Sequence, residues 1–148
     1  MIRETLTELM LIPGLSGHEQ RVAQAIAAHL DRLGLEHRSD RLGNLFATLP
    51  GDPALPSVMV FTHMDQLGFI VRKVEPSGLL RLERLGGVPE RALPAQAVTL
   101  CTDQGDLPGV IANKAHHATT PEEKYKVLPY TDLYVDAGFT SAAEAHAA

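Results

Sequence analysis

In "VMVFTHMDQLGF", residues 58–69, His63 and Asp65 stand two apart at the end of an apolar run. Side chains two apart on an extended strand share a face. The spacing therefore predicts an imidazole beside a carboxylate at the carboxyl end of a buried strand over residues 57–62, the edge where open α/β sheets build their sites. A neutral imidazole suits zinc or cobalt. A carboxylate that accepts the proton on its other ring nitrogen fixes the tautomer and raises its basicity as a ligand. His63 is thus a candidate metal ligand and Asp65 the carboxylate that orients it. The tripeptide alone is a weak signal that more often marks a surface or merely hydrogen-bonded histidine.

The other candidates read as structural. Gly86-Gly87 lacks the second half of a phosphate-binding loop, and "GLSG" has neither the preceding strand nor the flanks of a nucleophile elbow. Ser16 in that stretch is expected to cap a helix. Cys101, in an apolar strand without a local base, is expected to be a buried thiol. Glu122-Glu123 fit the acidic first turn of a helix. No pair of carboxylates is placed as glycoside hydrolysis requires.

The elements that must carry these residues follow from periodicity. Ile2, Leu6, Leu9 and Met10 recur at helical spacing before Pro13, predicting a short first helix. In "SGHEQRVAQAIAAHLDRLG", Ser16 and Glu19 have capping-box spacing, Val22, Ile26, Leu30 and Leu33 form the apolar stripe, and Gly34 supplies the stop. Two short extended pieces flank "RLGN" between 36 and 49, and the run 57–62 completes an α-α-β-β-β order. Beyond residue 68 the texture becomes β-rich. "FIVRKV", "GLLRLERL", "QAVTLCT", "LPGVIAN" and "DLYVDAG" read as short strands, with "DQGD" a hairpin turn. "TPEEKYKVL" predicts a short helix with Thr120 as cap, and "TSAAEAHAA" is only weakly helix-permissive. The expected organisation is residues 1–68 as the start of an α/β domain and 69–148 as a compact β module. Two helices hardly cover both faces of a central strand, so a continuation or a partner is expected.

Composition narrows the classes further. The 148 residues are 45% hydrophobic and 21% charged, in the globular range. Thirteen basic against eighteen acidic residues give a net charge of -5, and the basic ones are scattered, which argues against nucleic acid as a partner. One cysteine excludes an internal disulfide. The N-terminus has no signal-peptide pattern and no apolar run reaches membrane-spanning length, so a cytoplasmic protein without a membrane partner is expected.

Several stretches, taken together, resemble one family. "THMDQLGFIVRKVEPSGLLRLERLGG" is similar to the corresponding part of the tetrahedral metalloaminopeptidases, the glutamyl and deblocking aminopeptidases whose members include FrvX-like proteins and some labelled endoglucanase M. "PGLSGHEQRVAQAI" resembles the family's "PG-SG-E" lead into the second helix, and "DRLGNLFATLPG" its "D-GN" strand and turn. "LPGVIANKAHHATTPEEKYKV" and "TDLYVDAGFTSAAEA" resemble its "GVIG-KPPH...EE" and "DLYIDIGA-S-EEA". The matches run in order from about residue 12 to 145.

The resemblance implies a zinc-aminopeptidase-type α/β domain followed by a small PDZ-like or β-barrel assembly module. It implies hydrolysis of N-terminal residues from peptides by metal-activated water, with two divalent ions, zinc or cobalt, per complete site. It makes His63 the first metal ligand and Asp65 its orienting carboxylate. His117, in "KAHH", aligns with the histidine of "KPPH" and could serve a neighbouring subunit's site; a turn or interface role is at least as apt. It implies homo-oligomers, dimers that build a dodecamer. Departures from the family limit the inference, though the one at His116 is incidental. Gln66 stands where many members have Glu, and His116 replaces a proline. The remaining ligands and the general-base Glu lie downstream in the family, beyond Ala148. Asp132 and Asp136 match the module's closing strand rather than the bridging aspartate. The chain is therefore expected to be an N-terminal fragment, inactive alone or completed by a missing C-terminal half; the alternative is a non-catalytic assembly module derived from the family.

Overall fold

The structure, a computed structural model, describes residues Ile2–Ala148. They fall into two compact units, one ending at Gln66 and the other spanning Leu67–Ala148.

The first unit opens with helices α1 (Ile2–Met10) and α2 (Gln20–Arg32), as the periodicity predicts. Helix α2 stops at Gly34, whose φ of +68° is the left-handed conformation a glycine tolerates. The Gly34 N–H donates to the Asp31 carbonyl and the Leu35 N–H to that of Leu30, the paired bonds of a Schellman stop. The start of α2 differs from expectation. Glu19 occupies the cap without a side-chain cap bond. Ser16 turns elsewhere, and the Glu19 carboxylate accepts the Gly17 N–H at 2.8 Å, so no capping box forms.

Strands β1 (His37–Ser39) and β2 (Leu45–Ala47) pair antiparallel, Arg38 opposite Phe46. The Arg38 guanidinium lies 4.6 Å from the Phe46 ring centre. Asp40 organises their turn by accepting the N–H groups of Leu42 and Asn44 and the Asn44 side-chain amide. The predicted strand over 57–62 is absent. Those residues belong to no sheet, and Val58, Val60 and Phe61 are 86, 91 and 84% exposed. A strand is defined by its neighbours' hydrogen bonds, and β1 and β2 pair only with each other. Apolar composition alone cannot supply that ladder.

The second unit is a five-stranded antiparallel sheet of β3 (Gly68–Val74), β4 (Leu80–Leu85), β5 (Ala97–Thr102), β6 (Gly105–Ala112) and β7 (Tyr134–Asp136), in the order β3-β4-β7-β6-β5. The chain is thus mixed α/β. Leu80 and Leu82 alternate inward along β4, Ile111 and Val135 face each other across β6 and β7, and Leu93 and Leu133 complete the core. The β5–β6 hairpin turns at "DQG" as expected. Residues 120–128 form turns rather than the predicted helix. Thr120 and Glu123 do make reciprocal cap-like bonds, but Tyr125 is exposed and no apolar face is buried to sustain a helix. The weakly predicted tail is helix α3 (Ala142–Ala147). Its Ser141 hydroxyl accepts the Glu144 N–H, while the Glu144 carboxylate reaches back to Thr140.

Candidate metal centre

His63 and Asp65 meet although they lie on no strand. His63 Nδ1 is 2.7 Å from Asp65 Oδ1 and 3.1 Å from the Asp65 backbone carbonyl. With both acceptors on that side, the ring proton belongs on Nδ1, which leaves Nε2 with its lone pair available. The side chain of His63 is 82% exposed and that of Asp65 38%. The second carboxylate oxygen, Oδ2, accepts a hydrogen bond from the Ser16 hydroxyl. That bond first, and the His63 contact second, hold the Asp65 carboxyl below the usual carboxylate range.

A knot of backbone bonds brings Ser16 there. The Gln66 N–H donates to the Gly14 carbonyl at 2.6 Å, and Leu15 bridges in parallel to Gln66 and antiparallel to His18. The turn closes with His18 N–H on the Leu15 carbonyl at 2.7 Å and Gly17 at a φ of +81°. The Gln66 side-chain amide donates to the Met10 carbonyl. A glutamate at this position would have no proton for that carbonyl when ionised. Gly14 fits because it lacks a Cβ: one added there would lie 2.6 Å from a methyl of Val22.

The donor chemistry fits one corner of a metal site, an imidazole with its tautomer held by a carboxylate. It fits no more than a corner. Among the described residues no three His, Cys, Asp or Glu side chains gather as a metal would need. His117 lies in the second unit, in a short 3-10 turn (His116–Ala118), with its ring edge-on to His116 at 5.8 Å. Asp132 ends another 3-10 turn, and Asp136 accepts the Gly138 N–H in the turn after β7. Glu123 pairs with Lys114 at 2.9 Å. Cys101 is exposed on β5, not buried, because its alternation puts it on the sheet's outer positions. Ser16, like Cys101, is placed otherwise than the sequence pattern predicted. Its partner Asp65 lies 49 residues away, which no local pattern signals.

The family model for M42 glutamyl aminopeptidase matches residues 43–148. The chain belongs to that family. It is 38% identical over 138 residues to the putative aminopeptidase SgcX of Escherichia coli, covering 93% of this chain and 37% of that protein. Among solved structures, a TET aminopeptidase from a marine sediment archaeon, Thaumarchaeota archaeon, superposes with a TM-score of 0.89 at 31% identity, over 98% of this chain and 40% of that one. The Pyrococcus horikoshii TET1 peptidase, described as assembling into a tetrahedron or a large octahedral shell, gives 0.88 at 30% identity, over 99% and 43%. The chain thus spans about two fifths of the length of these relatives and corresponds to their N-terminal part. No helix among the described residues is long and apolar enough to cross a membrane.

Proposed function

We propose that this chain is the N-terminal part of a metal-dependent aminopeptidase, with His63 as one metal ligand and Asp65 as the carboxylate that orients it. The 2.7 Å contact between His63 Nδ1 and Asp65 Oδ1, in a chain of an aminopeptidase family, carries the reading. A divalent ion, zinc or cobalt, would activate water and polarise the scissile carbonyl of a peptide. The chain's own contribution is positional. Asp65 takes the Nδ1 proton, and the imidazole offers Nε2. One ligand does not make a two-metal site, so the chain alone is expected to lack turnover, with the remaining ligands and the general base coming from a C-terminal half. Leu67–Ala148 would be the PDZ-like or β-barrel module through which copies assemble, as the TET relatives do, and His117 would sit at such an interface.

The test pairs a peptidase assay on the 148-residue chain, with divalent metals added, and elemental analysis of the chain and of His63→Ala. Absent turnover with weak metal uptake that the substitution abolishes is the expected result. Full turnover by the chain alone would refute the incompleteness. Equal metal in both proteins would remove His63 as ligand. Self-association with no metal taken up by either protein would favour a non-catalytic assembly module, a reading supported by the second unit's self-contained core.

A further inference from the structure

We infer that Ser16 is a positioning residue for the His63–Asp65 pair: its hydroxyl anchors the Asp65 carboxylate so that His63 keeps its proton on Nδ1 and presents Nε2. This rests on the reading of His63 as a ligand, but its geometry stands independently. The terminal torsion of an aspartate is broad and two-fold, so one hydrogen bond from a solvent-exposed histidine does not fix the carboxylate plane. Here each oxygen has its own partner, Oδ1 the His63 ring and Oδ2 the Ser16 hydroxyl. With both taken, the plane is set, and with it the direction from which Nδ1–H is received.

Ser16 can hold because its turn is itself held at several points. Gln66, the residue after Asp65, donates its N–H to Gly14, two before Ser16. On the other side the Gly17 N–H is bound to the Glu19 carboxylate and the His18 N–H to the Leu15 carbonyl. The hydroxyl and the carboxylate, 49 residues apart in sequence, are therefore registered by the backbone bond between Gly14 and Gln66, while the bonds at Gly17 and His18 hold the turn that carries the hydroxyl. A serine serving only the turn would direct its hydroxyl to a backbone group of that turn, as Thr119 does to Ala115.

The experiment is a two-bond proton–nitrogen correlation spectrum of the histidine rings in the 148-residue chain at about pH 8.5, above the ordinary imidazole range. His63→Gln identifies the His63 signals. In the native chain and in Ser16→Thr, His63 is expected to be protonated on Nδ1. In Ser16→Ala that form should lose its dominance to the Nε2-protonated one. Unchanged tautomers in Ser16→Ala would overturn the inference. Should Ser16→Ala disturb the backbone amides of residues 11–19, Ser16→Thr and Ser16→Val decide, being nearly equal in bulk and differing in the hydroxyl. Rescue by Thr alone supports the assignment, and equal tautomers in the two overturn it.

Zinc titrated into the same samples tests the ligand reading separately. A native Nε2 signal that ignores zinc removes His63 as ligand and leaves the tautomer result intact. A zinc response weakened about tenfold in Ser16→Ala, the low end of what outer partners of a metal ligand contribute, supports both. An equal response in the two, with equal tautomers, overturns the role of Ser16 while His63 remains a ligand.

Discussion

The two units hold themselves together by different means. Leu67–Ala148 has six buried apolar side chains in one cluster, drawn from β4, β6, β7 and the segments beside them. Through Gln66, Val22 is the one buried hydrophobic side chain among the described residues, while Ile2, Leu6 and Met10 of α1 and the run Val58–Phe61 are exposed. That unit keeps its shape by local devices: a Schellman stop, an aspartate-organised hairpin turn and the bonds joining Gly14 to Gln66. The candidate metal centre therefore sits in the unit that lacks a core. Its geometry is specified by hydrogen bonds within a few residues of His63 and by one long-range knot.

The sharpest way to break the contrast is to empty both interiors. Leu133→Ala removes a fully buried side chain from the second unit and should cost about 2–5 kcal/mol. Val22→Ala should cost about 2 kcal/mol at most and act on the first unit alone. Urea unfolding followed by amide signals from each unit measures both. If Val22→Ala lowered the midpoint of the second unit as much as Leu133→Ala does, the units would share one cooperative transition and the contrast would fail.

Two glycines test it at the next scale. At Gly78, with φ at +88°, an added Cβ would lie 2.6 Å from the Phe139 carbonyl oxygen, a backbone atom that cannot swing aside. Gly78→Ala should cost about 3 kcal/mol, combining left-handed strain with overpacking. At Gly14 the clash is with a Val22 methyl at the same distance, and the backbone conformation is ordinary. Gly14→Ala should cost about 1–2 kcal/mol. Its more telling effect would be on the site, because displacing Gly14 loosens the Gln66 bond and withdraws Ser16 from Asp65. Thermal melts of both variants, with the His63 ring spectrum of the second, check this. An unmoved His63 in a destabilised Gly14→Ala would show that the knot does not carry the site.

Legibility in the sequence divides along the same line. Both helices of the first unit, the turn at Gly43 and the β3–β4 and β5–β6 pairs were legible because each depends on residues close in sequence, whereas β7 was legible only as an apolar segment, its partners in β4 and β6 being distant. The strand over 57–62 was not, since a strand exists only through its neighbours, and apolar content says nothing about whether they are present. Caps were legible as patterns and not as outcomes. Ser16 and Glu19 have the spacing of a capping box and form none, Thr120 and Glu123 form the bonds without a helix, and Ser141 with Glu144 starts a real one. The difference lies in the segment each cap leads into: a turn bound to Gln66, an exposed loop, or a helix bearing Ala145 against the core. His63 and Asp65 were legible from spacing and resemblance. Ser16 was not, because its partner lies 49 residues away.

The smallest expected effect is that of pH on the hairpin turn. Asp40 is held below its ordinary value of 3.8, chiefly by the Asn44 side-chain amide and then by the Leu42 and Asn44 N–H groups. In the second unit Glu83 is held below 4.5, chiefly by the Tyr130 hydroxyl. For each carboxylate the folded pKa lies under the unfolded one, so its contribution is complete above the unfolded value and is lost as pH falls through the folded value. The consequences should diverge. Protonating Asp40 removes the charge that strengthens the three bonds organising the β1–β2 turn, and nothing buried beneath that turn compensates. Protonating Glu83 leaves β4 seated on Leu80 and Leu82. Between pH 5 and pH 3, hydrogen exchange at the Leu42 and Asn44 amides, corrected for the intrinsic pH dependence, should therefore accelerate while exchange along β4 does not. Asp40→Asn should show the fast turn exchange already at pH 5, with no further change on acidification. Parallel acceleration in both units would mean that the hairpin draws its stability from the same cooperative source as the sheet.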